Sequence, residues 1–358
     1  LISAVVISYP VVAHPLAWMI LRVILGFSLS GVYVTAESWL NNAATNATRG
    51  QSLSAYMLMQ LLGLVASQAI LASGDPSGWL LFVIPSILVS LSFAPILLNA
   101  QPAPAFEAAR PMTLAKLHAV SPFSVVGMTL LGCIFAAHFA MAAVYATEAG
   151  LGLTELSAFV SSFFIGAIVL QYPIGWLSDR IDRRLLIVGA AGSSGAAALA
   201  GAVFGGHFPV LLAVGVLNGG LAQPLYALLI AYTNDYLELE DMAAASGGLV
   251  FVSGIGAIAG PPILGLAMGQ VGPAGYWMFL AAMGFVIAGH GLWRMTRRPS
   301  AYAGGDAYEA VSYATILPGA ASPVIVETAQ ELYVEAAEEM AGSAGAEAGA
   351  PQAGASPG

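Results

Sequence analysis

Apolar positions run on without the interruptions of an amphipathic segment. Nine runs of about 20 residues recur at 16–37, 51–73, 78–98, 123–147, 153–175, 184–204, 208–232, 244–269 and 274–294. At 1.5 Å per residue a helix of about 20 residues crosses the ~30 Å hydrocarbon core of a bilayer. The pattern therefore predicts about nine complete transmembrane helices. Residues 1–13 form a tenth run too short to span unaided, and the chain opens on Leu rather than Met. No basic segment precedes this run and no small-x-small site stands before Pro15, so it reads as the end of a helix whose beginning is missing rather than as a cleaved secretory signal.

The polar connections between the runs alternate in charge. Arg49, Arg110, Lys116, Arg180, Arg183, Arg184, Arg294, Arg297 and Arg298 fall in every second connection, whereas those near His14, Asp75, Glu148 and His207 hold no Lys or Arg. Nine of the ten basic residues on one side is a positive-inside pattern, which predicts cytoplasmic loops at 38–50, 99–122, 176–183 and 233–243 and a cytoplasmic C-terminus. The longest connection, 99–122, carries NAQPAPAFEAARP and then a short helical pattern from Thr113, the composition of a linker between two helical bundles. Four regions follow: a partial N-terminal bundle at 1–98, the linker at 99–122, a C-terminal bundle at 123–298 and an acidic tail at 299–358. The tail reads as disordered with one transient amphipathic helix, Val326 to Met340, whose Ala329, Tyr333, Ala336 and Met340 share a face.

Composition agrees: 58% of residues are hydrophobic and 8% charged, and the mean hydropathy is +0.83. Soluble domains carry about a quarter charged residues, so the bilayer must be the solvent. The net charge of −9 belongs to the tail, where 299–358 hold eight acids and no base. No basic cluster of the size nucleic acid requires exists. The single Cys133 excludes an intramolecular disulfide and a Cys-based metal site.

One connection carries a motif. Gly175-Trp176-Leu177-Ser178-Asp179-Arg180-Ile181-Asp182-Arg183-Arg184 resembles the G-x-L-A/S-D-R-x-G-R-R loop of the major facilitator superfamily. Arg22-Val-Ile-Leu-Gly26 followed by Gly31 is similar to the R-x-x-x-G pattern of that superfamily's fourth helix. Counting from it, 51–98 holds helices five and six, 123–175 seven and eight, and 184–294 nine to twelve. Helices one and two and part of three are then missing. Glu37-Ser38-Trp39-Leu40, Arg49-Gly50, Ala55-Tyr56-Met57 and Gln171-x-Pro173-Ile174-Gly175 look like the YcaD-type branch. The resemblance implies an all-α integral membrane fold of two six-helix bundles, here N-terminally truncated. In two places the sequence departs from the family: Asp182 replaces the loop Gly, and 51–73 lacks Pro, while a similar Gly256-x-x-x-Gly260-Pro261-Pro262 lies in helix eleven.

A charge inside a span costs at least ~2.5 kcal/mol by insertion scales, which makes Arg22 the first candidate for function. From the helix centres, Arg22 lies about 6 Å, His138 about 4–5 Å and Asn218 about 3 Å toward the outside, and Gln223 about 4 Å inward. In the family that the chain resembles, helices four, seven and ten line the cavity. Arg22, His138, Asn218, Gln223 and Tyr226 are thus candidates for a midplane site, its cationic character suited to an anionic or zwitterionic solute. Arg22 pairing with an absent helix, and His, Asn and Gln serving as packing and interhelical glue, are the competing readings. Gly175, Asp179, Arg180, Arg183, Arg184 and Glu37 form a candidate cytoplasmic gate, with Asp179 approaching the helix that starts near Gln51 and Glu37 facing Arg49 or the Arg180–Arg184 turn. Gly201/Gly205, Gly215/Gly219 and Gly256/Gly260 have the spacing of close helix packing. Gln60 and Gln68 share a face suited to interhelical hydrogen bonds.

The function implied is secondary active transport of a small solute by alternating access, coupled to protons, in a bacterial inner membrane. A transport-inactive receptor or scaffold on the same fold is the alternative. No phosphate-binding G-x-x-x-x-G-K-[ST], H-E-x-x-H or G-x-S-x-G occurs and the five His are scattered, so neither ATP-driven transport nor an enzyme is expected, and no cofactor or metal.

Overall fold

The computed structural model describes residues 1–12, 14–43, 46–75, 78–98, 112–178, 180–237 and 239–297. The loop residue Asp179, most of the linker and the tail with its Val326–Met340 stretch lie outside them. Thirteen α-helices and one π turn make up the described chain: α1 (Ile2–Ser8), α2 (Pro15–Ala43), α3 (Asn46–Ser73), α4 (Leu80–Leu98), α5 (Leu114–Val120), α6 (Pro122–Ala136), the π turn (Ala137–Met141), α7 (Ala142–Glu148), α8 (Leu153–Ser178), α9 (Arg183–Phe204), α10 (Phe208–Ala222), α11 (Leu225–Asn234), α12 (Leu239–Val271) and α13 (Ala274–Met295). Helix is the form that satisfies every backbone N–H and C=O within one segment, as hydrocarbon demands.

Each apolar run coincides with a helix. Among the described residues seven helices are long and apolar enough to cross a membrane, and Met59–Ser73 and Leu80–Ala94 are shorter apolar stretches. Two spans are interrupted: 122–148 by the π turn, and 208–234 at Gln223 and Pro224. Pro173, Pro261 and Pro262 sit inside helices that continue through them.

From Pro122 onward the helices pair tightly, α9 with α13, α8 with α10 and α6 with α12. Glycine makes these contacts close. A Cβ on Gly219 would collide with the Phe163 backbone, one on Gly256 with the Thr129 carbonyl, and one on Gly260 would lie 3.0 Å from Cys133 Cα. Gly201 leaves room for the Trp277 indole, whereas Gly205 ends α9. Cys133 seals the α6–α12 contact by donating its S–H to the Gly256 carbonyl at 3.2 Å.

Before Leu98 the packing is different. α1 lies on α4 through hydroxyls, with Ser3 and Ser86 Oγ 2.7 Å apart and Ser90 donating to Ser3 at 2.9 Å. α2 packs on α1 and α3, and α3 packs on α8; on α3, Leu64 and Val65 pack against the buried core of the later helices and Leu61 is itself buried.

Candidate functional site

The π turn widens the α6–α7 span by one residue and lets His138 point wholly into the helix core, where it is fully buried. Its neighbour Ala137 offers a carbonyl that accepts from the Tyr276 hydroxyl at 3.4 Å. His138 Nε2 lies 2.7 Å from Asn218 Oδ1 on α10. The Asn218 amide nitrogen donates to the Ser194 carbonyl at 3.0 Å and to Ser194 Oγ at 2.9 Å on α9. With that amide nitrogen committed to Ser194, Oδ1 is the acceptor and His138 Nε2–H the donor. The ring stacks on Phe163 at 4.3 Å with a 19° interplanar angle. Nδ1 has no hydrogen-bond partner among the described residues. The arrangement is an imidazole held through Nε2, with Nδ1 left without a hydrogen-bond partner inside a membrane-spanning bundle.

Gln223 and Tyr226 follow on the same rod. Pro224 has no N–H to continue the α10 ladder, and the helix resumes as α11. Gln223 is buried with both amide atoms unpartnered among the described residues. Tyr226 is buried with its ring centroid 6.3 Å from that of Phe135. Of the five midplane candidates, the structure joins His138 and Asn218 directly and sets Gln223 and Tyr226 five and eight residues beyond Asn218 on the same interrupted span. Arg22 stands exposed on α2, with no hydrogen bond or ion pair to that cluster. Ser194 and Phe163 complete the cluster and carry no sequence signal of their own, since a serine in a Gly/Ala-rich helix reads as packing.

At the basic end, α8 runs through Gly175 to Ser178 and α9 starts at Arg183. Asp182, where the family loop has Gly, sits at φ −54°, so no left-handed residue is needed there. Its carboxylate caps α9, accepting from the Arg184 N–H at 2.9 Å, and pairs with the Arg184 guanidinium at 2.7 Å. Arg183 pairs with Asp235 at the end of α11, and its Nε–H donates to Ser178 Oγ at 3.3 Å. Burial raises the Asp235 carboxyl above the usual range, Arg183 opposes this, and Asp182 adds to it. Arg180 lies 3.9 Å over the Trp176 ring and donates to the Trp176 carbonyl. Glu37 and Arg49 lie in α2 and α3, but their side chains, like Asp179, are outside the described residues.

Long apolar helices closed by glycine contacts, a sealed polar cluster within the spans and an ion-paired basic turn define a polytopic helical membrane protein. The family model of the Major Facilitator Superfamily matches residues 125–313. The chain belongs to the major facilitator superfamily. It is 23% identical over 295 residues to an uncharacterized MFS-type transporter of Yersinia pestis (strain Pestoides F), covering 79% of this chain and 72% of the relative. It is 25% identical over 283 residues to one from Enterobacter sp. (strain 638), covering 75% and 70%. The uncharacterized MFS-type transporter YcaD of Salmonella paratyphi B (strain ATCC BAA-1250 / SPB7) is 23% identical over 283 residues, with the same coverage.

Proposed function

We propose that this protein is a secondary active transporter of a small solute, working by alternating access and coupled to protons through His138. The observation that carries the reading is the fully buried imidazole with an unpartnered Nδ1. An ionisable group inside a bilayer span is costly unless it serves a pathway, and a bare Nδ1 can take a proton once a change of conformation admits water. His138 and Asn218 bridge the seventh and tenth helices of the family count, so a proton on Nδ1 would bear on how these helices pack against each other. Residues 1–98 and 123–298 are the two bundles, joined by 99–122, with the acidic tail 299–358 in the cytoplasm of a bacterial cell and the spans in its inner membrane. Packing of α3 on α8 supports a junction between the bundles there. Glu37, Asp179 and the Arg180–Arg184 turn form the cytoplasmic gate of that junction, and the Arg183–Asp235 pair fixes the turn to α11.

The test is the intact protein in liposomes loaded with a pH-sensitive dye, challenged with a library of small metabolites. At least one solute is expected to change the lumenal pH in a protein-dependent way. Solute uptake without proton movement contradicts the coupling. Absence of any solute movement favours a receptor or scaffold on the same fold.

A further inference from the structure

Four glutamines lie in or beside the contact of α3 and α8, and the structure leaves them unsatisfied. Gln60 and Gln68 share the face of α3 that bears the buried Leu61 and also Leu64 and Val65, which pack against the later helices. Gln171 is on α8. Gln223 is one turn beyond Gly219 and Gly220, whose faces meet α8 at Phe163, Gly166 and Leu170. The amide nitrogens and oxygens of Gln60 and Gln223, and the oxygens of Gln68 and Gln171, are buried with no hydrogen-bond partner among the described residues. Among the described residues, Gln60 and the Gln68 oxygen make none of the interhelical hydrogen bonds expected of them. By helix rise, Gln60 and Gln223 sit about 3–4 Å and Gln171 about 10 Å to the Arg-bearing side of their span centres. Three carboxamides from α3, α8 and α10 therefore share one half of the membrane.

Buried polar groups are almost always paired, and in hydrocarbon an orphaned amide is costly. Gln60, Gln171 and Gln223 leave both kinds of atom unfilled, three buried oxygens and two buried nitrogens. An anion only accepts hydrogen bonds and would leave those oxygens unfilled. A cation would need a compensating carboxylate, and the carboxylates whose side chains are described, such as Glu148, Glu155 and Asp235, lie at helix ends. A neutral molecule bearing O–H or N–H donors beside its own acceptors satisfies both kinds of atom.

We propose that Gln60, Gln171 and Gln223 form an uncharged recognition site for a neutral, hydroxyl- or amide-bearing solute held between α3, α8 and α10. The proposal rests on the transport reading and names its substrate class. It departs from the anionic or zwitterionic solute expected from Arg22, which stands exposed on α2.

The experiment is thermal unfolding of the intact protein in lipid nanodiscs with low-millimolar sorbitol, glucose, N-acetylglucosamine, succinate or choline. A ligand that binds only the folded state raises Tm by mass action. A neutral probe is expected to raise Tm by several degrees, with the rise lost in Gln60→Leu, Gln171→Leu and Gln223→Leu. The same variants are expected to keep or exceed the unliganded Tm, because each replaces an unsatisfied amide by an apolar group of similar volume. Should a Leu variant fail to fold, Gln→Asn at the same position, which withdraws the amide by one methylene, is expected to weaken the shift. Stabilisation by succinate or choline alone overturns the proposal while leaving the transport reading intact. No shift from any neutral probe, or an equal shift in wild type and variants, overturns it as well. The transport reading fails on a separate readout, absence of solute movement in dye-loaded liposomes.

Discussion

The helices after Pro122 and those before Leu98 are both rich in apolar residues, yet they are held in different ways. Gly132, Gly166, Gly219 and Gly256 each face the backbone of a neighbouring helix, whereas a Cβ on Gly26, Gly31 or Gly63 would meet nothing within 4 Å. The polar residues divide along the same line, with His138 sealed against Asn218 and Phe163 and Arg22 exposed. A glycine or a charge within a span acquires meaning from the helix that faces it. Sequence spacing alone does not supply that.

The largest test of the contrast is to add a methyl group in each half. Gly219→Ala sets a Cβ against the Phe163 backbone, which cannot rotate away, and is expected to cost at least about 1–3 kcal/mol. Gly26→Ala is expected to be neutral or to stabilise by about 0.5–1 kcal/mol, because it removes only glycine's entropic cost in a helix. Thermal unfolding in detergent reads both, and similar effects would erase the distinction.

Next is the polar cluster. Asn218→Leu strands His138 Nε2–H and the Ser194 hydroxyl, with an expected cost of about 1–3 kcal/mol. The double variant His138→Phe/Asn218→Leu is expected to recover part of it, giving a non-additive cycle. Arg22→Ala is expected to leave stability unchanged, and a loss matching that of Asn218→Leu would place Arg22 in a packed network.

The Asp235 carboxyl gives a smaller, pH-dependent effect. Its folded-state pKa is raised, chiefly by burial. The folded state therefore holds that proton to higher pH than the unfolded chain. The resulting stability is complete below the ordinary carboxylate pKa and is lost as pH rises through the raised value. Asp235→Asn is expected to remove this slope from a Tm-against-pH series, and an unchanged slope would assign it to another group. Lys116→Gln, which breaks the exposed pair with Asp241, is expected to cost less than about 1 kcal/mol.

The span pattern was legible because a bilayer imposes one length and one composition on every crossing. The Gly256/Gly260 and Gly215/Gly219 pairs were legible as close-packing positions, but their partners depend on which helices the fold sets side by side. His138 and Asn218 could be matched by depth, since helix rise fixes depth from sequence position. Ser194 could not, because its part depends on rotation about the axis of α9, and the π turn that aims His138 likewise leaves no compositional mark. Asp235 as the partner of Arg183 was recoverable in principle: both fall at the basic ends of their spans, and a partly buried guanidinium there calls for an acid. The role of Asp182 was hidden by comparison with the family, which has a glycine where the structure has a helix cap.

The central claim is that the sealed imidazole of the later helices, and not the exposed guanidinium of α2, carries the coupled proton. Solute-driven pH change in dye-loaded liposomes, recorded for wild type, His138→Gln and Arg22→Ala, tests it most directly. The account predicts that the proton signal is abolished in His138→Gln and retained in Arg22→Ala. A signal that survives loss of His138, or one that disappears only with Arg22, would contradict it.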